Sequence, residues 1–152
     1  MQDKIKEVIK SYKTKRNELT EFVKNNFQVA CQEFFDNNPW LENFSWTQYT
    51  QYFNDGDECN FYVQSDTECI SINGERVDDI DFLKEENYNR VDGKYVSSPN
   101  PNFDQSKFNT VKGISSFIQS IDDSLMKDMF GDHKEITVTK NGVSIEVYED
   151  HD

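Results

Sequence analysis

Breakers and cross-linkers are scarce in this 152-residue chain, which holds three prolines, six glycines and three cysteines. The stretch from Ile5 to Phe35 contains neither proline nor glycine, so nothing in it interrupts a helix. The cysteines, Cys31, Cys59 and Cys69, are odd in number and show no C-x-x-C spacing, which excludes a disulfide scaffold and a zinc knuckle. They are expected as reduced thiols filling small buried volumes. Runs of about 18 apolar residues are also missing, and the opening Met1-Gln2-Asp3-Lys4-Ile5-Lys6 lacks a secretory apolar stretch. A chain that neither spans a membrane nor leaves the cytoplasm is expected.

Chemistry-bearing motifs are equally sparse. There is no phosphate-cradling glycine loop, no G-x-S-x-G and no zinc-type Cys/His spacing. The two histidines are His133 and His151, and the second lies in a terminal Glu149-Asp150-His151-Asp152 run. A nucleophilic pair such as Cys59 with His133 would need a fold that joins them, and no spacing suggests one. No catalytic residue, cofactor or metal is therefore expected.

Aliphatic content is low, with 35% hydrophobic residues in all, but 12 Phe, 7 Tyr and 2 Trp lift the aromatic share to 14%. Rings bury large areas, so they replace the missing aliphatic volume and argue against disorder. At this length one domain spanning residues 1–152 is expected. The net charge is −13 and is unevenly spread. Residues 1–24 carry seven Lys/Arg against four acids, a net of +3, while the other 128 residues carry nine basic and 25 acidic side chains, a net of −16. So negative a body repels phosphate backbones, and direct nucleic-acid binding is not expected except through the first helix. The split also suggests attraction between the basic helix of one copy and the acidic body of another.

Periodicity predicts an α+β fold. Apolar residues at Ile5, Val8, Ile9, Tyr12, Leu19, Phe22, Val23, Phe27, Ala30, Cys31 and Phe34 describe one long amphipathic helix over 1–36, ended before Pro39. Lys15 and Arg16 interrupt its stripe, which makes it a weak coiled coil at best. Residues 44–72 read as antiparallel strands: an aromatic hairpin, Phe44–Phe53 and Glu58–Val63 about Asn54-Asp55-Gly56-Asp57, then a third strand, 68–72, running into Asn73-Gly74. Rings at odd and even positions predict apolar surface on both faces of that hairpin. Residues 75–103 lose periodicity and read as a long acidic loop with a short helix around Ile80–Glu86. A second helix is predicted over 104–130, with Asp104 as its cap and Gly131 as its stop. Gly113 inside it implies a close backbone approach or a later start. The hairpin over 134–148 turns at Asn141-Gly142, which would face Val138 with Ile145 and Ile136 with Val147. The sheet thus has about five strands, with the second helix packed on it.

Two groups are candidates for binding. The Asn54–Glu58 cluster offers hard oxygens, but glycine stands third in it, where a calcium loop of the EF-hand kind needs it sixth. Asp55, Asp57 and Glu58, with Asp78, Asp79 and Asp81, remain an acidic surface for a protein partner or, alternatively, an ion or small ligand. Trp46 and Tyr49 belong to an aromatic run that could stack bases, as single-strand binders do, but such platforms sit in basic grooves and this one is flanked by acids. Packing in a core or an interface suits it better.

The stretch Phe44-Ser45-Trp46-Thr47-Gln48-Tyr49-Thr50-Gln51-Tyr52-Phe53-Asn54-Asp55-Gly56-Asp57-Glu58-Cys59 resembles a signature of small uncharacterised proteins of tailed bacteriophages and some bacteria, which has proline where this chain has Gln51. The ending, Met129-Phe130-Gly131-Asp132-His133 with the Asn141-Gly142 hairpin, is similar to theirs. The resemblance covers under half the chain and implies a phage-like source, hence a host cytoplasm, with no activity and no functional residue to transfer. The expectation is a non-enzymatic protein working through protein–protein contacts as a homo-oligomer, such as a phage accessory or host-modulating factor. A nucleic-acid mimic that inhibits a DNA-binding enzyme and a metal- or ligand-binding protein are the alternatives.

Overall fold

A computed structural model of the chain describes residues 1–53 and 56–150. Helix α1 (Gln2–Asn37) is followed by β1 (Asn43–Thr50), β2 (Phe61–Val63), β3 (Ser71–Ile72) and β4 (Glu75–Arg76). Then come β5 (Glu86–Val91), β6 (Lys94–Pro99), α2 (Gln105–Gln119), α3 (Asp123–Phe130), β7 (Lys134–Thr139) and β8 (Gly142–Val147). The fold is α+β, as the periodicities predict. Six strands form the main antiparallel sheet in the order β4-β3-β1-β7-β8, with β2 also paired to β1.

The three helices cover one face of this sheet. Phe27, Cys31 and Phe35 of α1, Val111, Ile114 and Ile118 of α2, and Met126, Met129 and Phe130 of α3 close over Phe44, Trp46, Ile136 and Val138. Phe27 is central: its ring lies 6.0 Å from Trp46, 5.7 Å from Phe117 and 5.3 Å from Phe130. Such ring pairs add to the area they bury.

Buried polar groups are matched to the ends of elements. Gln48 is fully buried, donates to the carbonyls of Met126 (3.0 Å) and Gly131 (2.7 Å), and accepts from the Trp46 indole (3.1 Å). It thereby ties the central strand to the middle of α3 and to the residue that ends it. Asn73 links two segments, accepting from the amides of Glu42 and Asn43 and donating to the Trp40 carbonyl.

Several expectations are corrected. The aromatic hairpin exists, with Gln48 opposite Val63, Tyr49 opposite Tyr62 and Thr50 opposite Phe61, but ten residues connect its strands in place of a tight turn. Of the predicted turn, Asn54 and Asp55 lie outside the described residues. Phe44, Trp46 and Gln48 point into the core, while on the other face Ser45 and Thr47 stand opposite Thr137 and Glu135 of β7 and Tyr49 stands opposite Tyr62 of β2.

The region 75–103 is not a loop. It holds β4, two short 3₁₀ turns (Val77–Asp79 and Asp81–Leu83) and the β5–β6 hairpin, whose Asp92-Gly93 turn has φ of 52° and 79°. Two successive positive φ values are what a two-residue hairpin turn requires, and Asp-Gly supplies them.

The second predicted helix is two helices. Asp104 caps α2 by accepting from the Lys107 amide and Gly131 ends α3, as read from sequence, but the chain breaks at Ser120–Asp122. There the Asp122 carboxylate accepts from the amide and hydroxyl of Ser124, starting α3 anew. Gly113 meets no backbone: a Cβ there would lie 3.6 Å from the Phe34 ring. In the last hairpin Ile136 faces Ile145 and Val138 faces Val143, two residues from the expected register. The turn falls on Lys140-Asn141, where the Thr139 hydroxyl accepts from the Asn141 amide. A shift of two preserves which face each side chain takes.

Candidate interaction surfaces

Helix α1 has two faces with different fates. From Thr20 onward one face is seated on the body through Thr20, Phe27, Cys31 and Phe35. Residues 1–19 are exposed throughout, so the first half of the helix stands clear of the core. At 1.5 Å per residue the free reach is roughly 25 Å. Arg16 marks the departure, its guanidinium 2.7 Å from the Asp128 carboxylate of α3, which raises its pKa through the hydrogen bond and the opposite charge.

A second apolar stripe runs along α1, and at Tyr12, Lys15 and Leu19 it borders an open cleft shared with Asp122, Ser124 and Leu125 at the start of α3. Ile5, Tyr12, Leu19 and Asn26 recur every seven residues, and so do Val8, Lys15, Phe22 and Val29. The apolar members are all exposed, including Phe22 at 65% and Val29 at 69%, which lie level with the packed part of the helix. Taking 3.6 residues per turn, this stripe lies about 130° around the helix from the buried face. The single stripe expected from the sequence spans both faces and does not include Val29. The seven-residue spacing is the signal that separates them.

The β5–β6 arm is a second projection. Apart from the half-buried Asn87, every residue of the two strands is exposed, Tyr88, Val91, Tyr95 and Val96 among them. Its base is firmly held. Asn100 is buried and donates to the carbonyls of Asp81 and Lys84, while Lys107 sits 4.5 Å above the Phe82 ring and 5.4 Å above Trp40. Beside the arm lies an open cleft of about 860 Å³ lined by Glu68, Asp78, Lys84, Glu86, Phe108 and Lys112 among others.

The acids singled out from the sequence have separate roles. Asp57, Glu58, Asp78 and Asp79 are exposed, and Asp55 lies outside the described residues. Asp81 is structural: its carboxylate accepts from the side-chain amides of Asn100 and Asn102 and so pins the chain after β6. Among the described residues, no group of three or more His, Cys, Asp or Glu side chains is placed to hold a metal ion. Trp46 is not a surface residue, being 1% exposed in the core, while Tyr49 is half-buried with its ring 5.6 Å from Tyr148. The cysteines also depart from expectation. Cys31 is buried, and burial pushes its thiol up to about 12, but Cys59 and Cys69 are exposed.

A further polar cluster centres on Asp132, which is not among the candidates the sequence offers. Its carboxylate accepts from the Thr50 amide (2.8 Å), the Thr50 hydroxyl (2.6 Å) and the His133 amide (2.8 Å), and the His133 ring stacks on Tyr52 at 4.7 Å. Burial acts to raise the Asp132 pKa, but these hydrogen bonds outweigh it and hold the carboxyl below the ordinary range. With its oxygens engaged by backbone and hydroxyl donors, Asp132 joins the end of β1 to the start of β7. His133 there holds a φ of 54°.

No helix among the described residues is long and apolar enough to cross a membrane. No family model, no curated protein and no solved structure matches the chain.

Proposed function

We propose that this protein acts by contact with other protein chains, and first with copies of itself, through the free stripe of α1. The observation that carries this reading is the row Ile5, Val8, Tyr12, Leu19, Phe22 and Val29, exposed along a helix that is packed on its other face only from Thr20 onward. Single exposed apolar residues are ordinary on a protein surface, but six in heptad register form a contact seam. Lys15 and Asn26 within the seam weaken it, which suits a reversible assembly over a permanent one.

The acidic body then remains available to a further protein partner, in keeping with an accessory or host-modulating role in the cytoplasm. Light scattering on the eluting protein, at low and at high salt and across a range of concentrations, tests self-association. A mass that rises with concentration toward twice the monomer is expected in both salts, because burial of apolar residues is not screened as surface ion pairs are. A monomeric mass at every concentration in both salts overturns the reading.

A further inference from the structure

We infer that the occupant of the α1 stripe is the same stripe of a second copy running in the opposite direction, with Tyr12 of each chain set against Phe22 of the other. This rests on the self-association proposed above and adds its direction and register. Two independent observations fix them, one of charge and one of spacing.

Helix α1 is electrically divided along its length. Residues 2–17 carry six basic side chains (Lys4, Lys6, Lys10, Lys13, Lys15 and Arg16) against Asp3 and Glu7, a net of +4. Residues 18–37 carry Glu18, Glu21, Glu33 and Asp36 against Lys24, a net of −3. A parallel pair would set like against like along the whole contact and place Lys15 beside Lys15. An antiparallel pair sets +4 against −3 twice and opposes the two helix dipoles favourably.

The spacing allows the antiparallel arrangement without a slip. When Ile5 is placed opposite Val29, the next layers fall as Val8 with Asn26, Tyr12 with Phe22, and Lys15 with Leu19, the two residue numbers adding to 34 in every layer. Each layer then joins one member of the Ile5 row to one of the Val8 row, as antiparallel coiled coils require. The polar members are accommodated. Asn26 already donates to the Phe22 carbonyl at 2.7 Å, and Lys15 opposite Leu19 can extend its stem over the leucine with the ammonium in water. The seam runs about 36 Å from Ile5 to Val29. Each body is packed on α1 from Thr20 onward, with α3 also reaching Arg16, so the two bodies sit toward opposite ends of the helix pair.

Disulfide trapping tests direction and register together. Tyr12→Cys and Phe22→Cys are made on separate full-length chains, each also carrying Cys59→Ser and Cys69→Ser to remove the exposed thiols. The variants are oxidised singly and as a mixture. Both positions are exposed, so neither substitution disturbs the core.

In the antiparallel register the Tyr12 positions of the two chains lie about 15 Å apart along the axis, beyond disulfide reach. The mixed product, which joins the Tyr12→Cys chain to the Phe22→Cys chain, should therefore exceed either single-variant product by at least about tenfold. Cross-linking of each variant with itself in place of the mixed product would overturn the antiparallel arrangement and leave self-association standing. Absence of any cross-link with a dimeric mass would move the contact off this stripe, and absence of any cross-link with a monomeric mass would remove both readings.

Discussion

At the residue scale the fold depends on a few polar side chains that finish what neighbouring elements leave open. Gln48 shares its parity with Phe44 and Trp46, so the alternation of β1 points it inward, but which carbonyls it reaches is decided 78 and 83 residues later and was not legible locally. Gln48→Leu keeps the volume and strands the Trp46 indole and two carbonyls. Unfolding by urea should show a loss of about 3 kcal/mol, since each buried group left without a partner costs about 1–3 kcal/mol. Asp132 gives a test with a pH signature. Its carboxyl is held below the ordinary value in the folded chain, so its contribution is present above an unfolded pKa of about 3.9 and is lost as pH falls through the lower folded value. Asp132→Asn should cost about 1–2 kcal/mol at neutral pH, and the gap from the parent should close in acid. A gap that stayed constant to the lowest pH at which both fold would contradict this account of Asp132. The cysteines offer a simpler check. In native protein at mild alkaline pH a thiol reagent should modify Cys59 and Cys69 while Cys31, with its thiol at about 12, reacts only after unfolding.

At the scale of elements, the sequence was clearest where one face of a strand or helix is buried. The span of α1, the cap Asp104, the stop Gly131 and the parity of β7 and β8 all follow from local pattern, because burial imposes a period on the sequence. The β5–β6 hairpin escaped for the opposite reason. Both of its faces are wet, so Asn87–Val91 and Lys94–Ser98 show no alternation, and only Asp92-Gly93 signals the turn. The break between α2 and α3 escaped because Ile118, Ile121 and Leu125 keep helical spacing across it, while the cap is made by Asp122 and Ser124 at the break itself. Since the arm buries almost nothing, replacing Asn87–Ser98 by a short glycine link should move Tm by no more than about 4 °C in a calorimetric scan. A collapse of the fold would show that the arm is part of the core's support.

At the scale of the molecule, charge and shape are coupled. A body with net negative charge carries one long helix whose free half is positive and whose outer face is apolar, and this division could be read from the sequence as a sum of charges. The exposed seam could not, because the sequence does not say where the body ends along α1 and so which of two overlapping apolar faces is used inside. The claim that the outer face joins two copies is tested most directly by sedimentation equilibrium of the parent chain beside Phe22→Glu, a change on the exposed stripe only. The parent should fit a reversible monomer–dimer equilibrium and the variant a monomer with an unchanged circular dichroism spectrum. A monomeric parent, or a variant that dimerises as well as the parent, would contradict it.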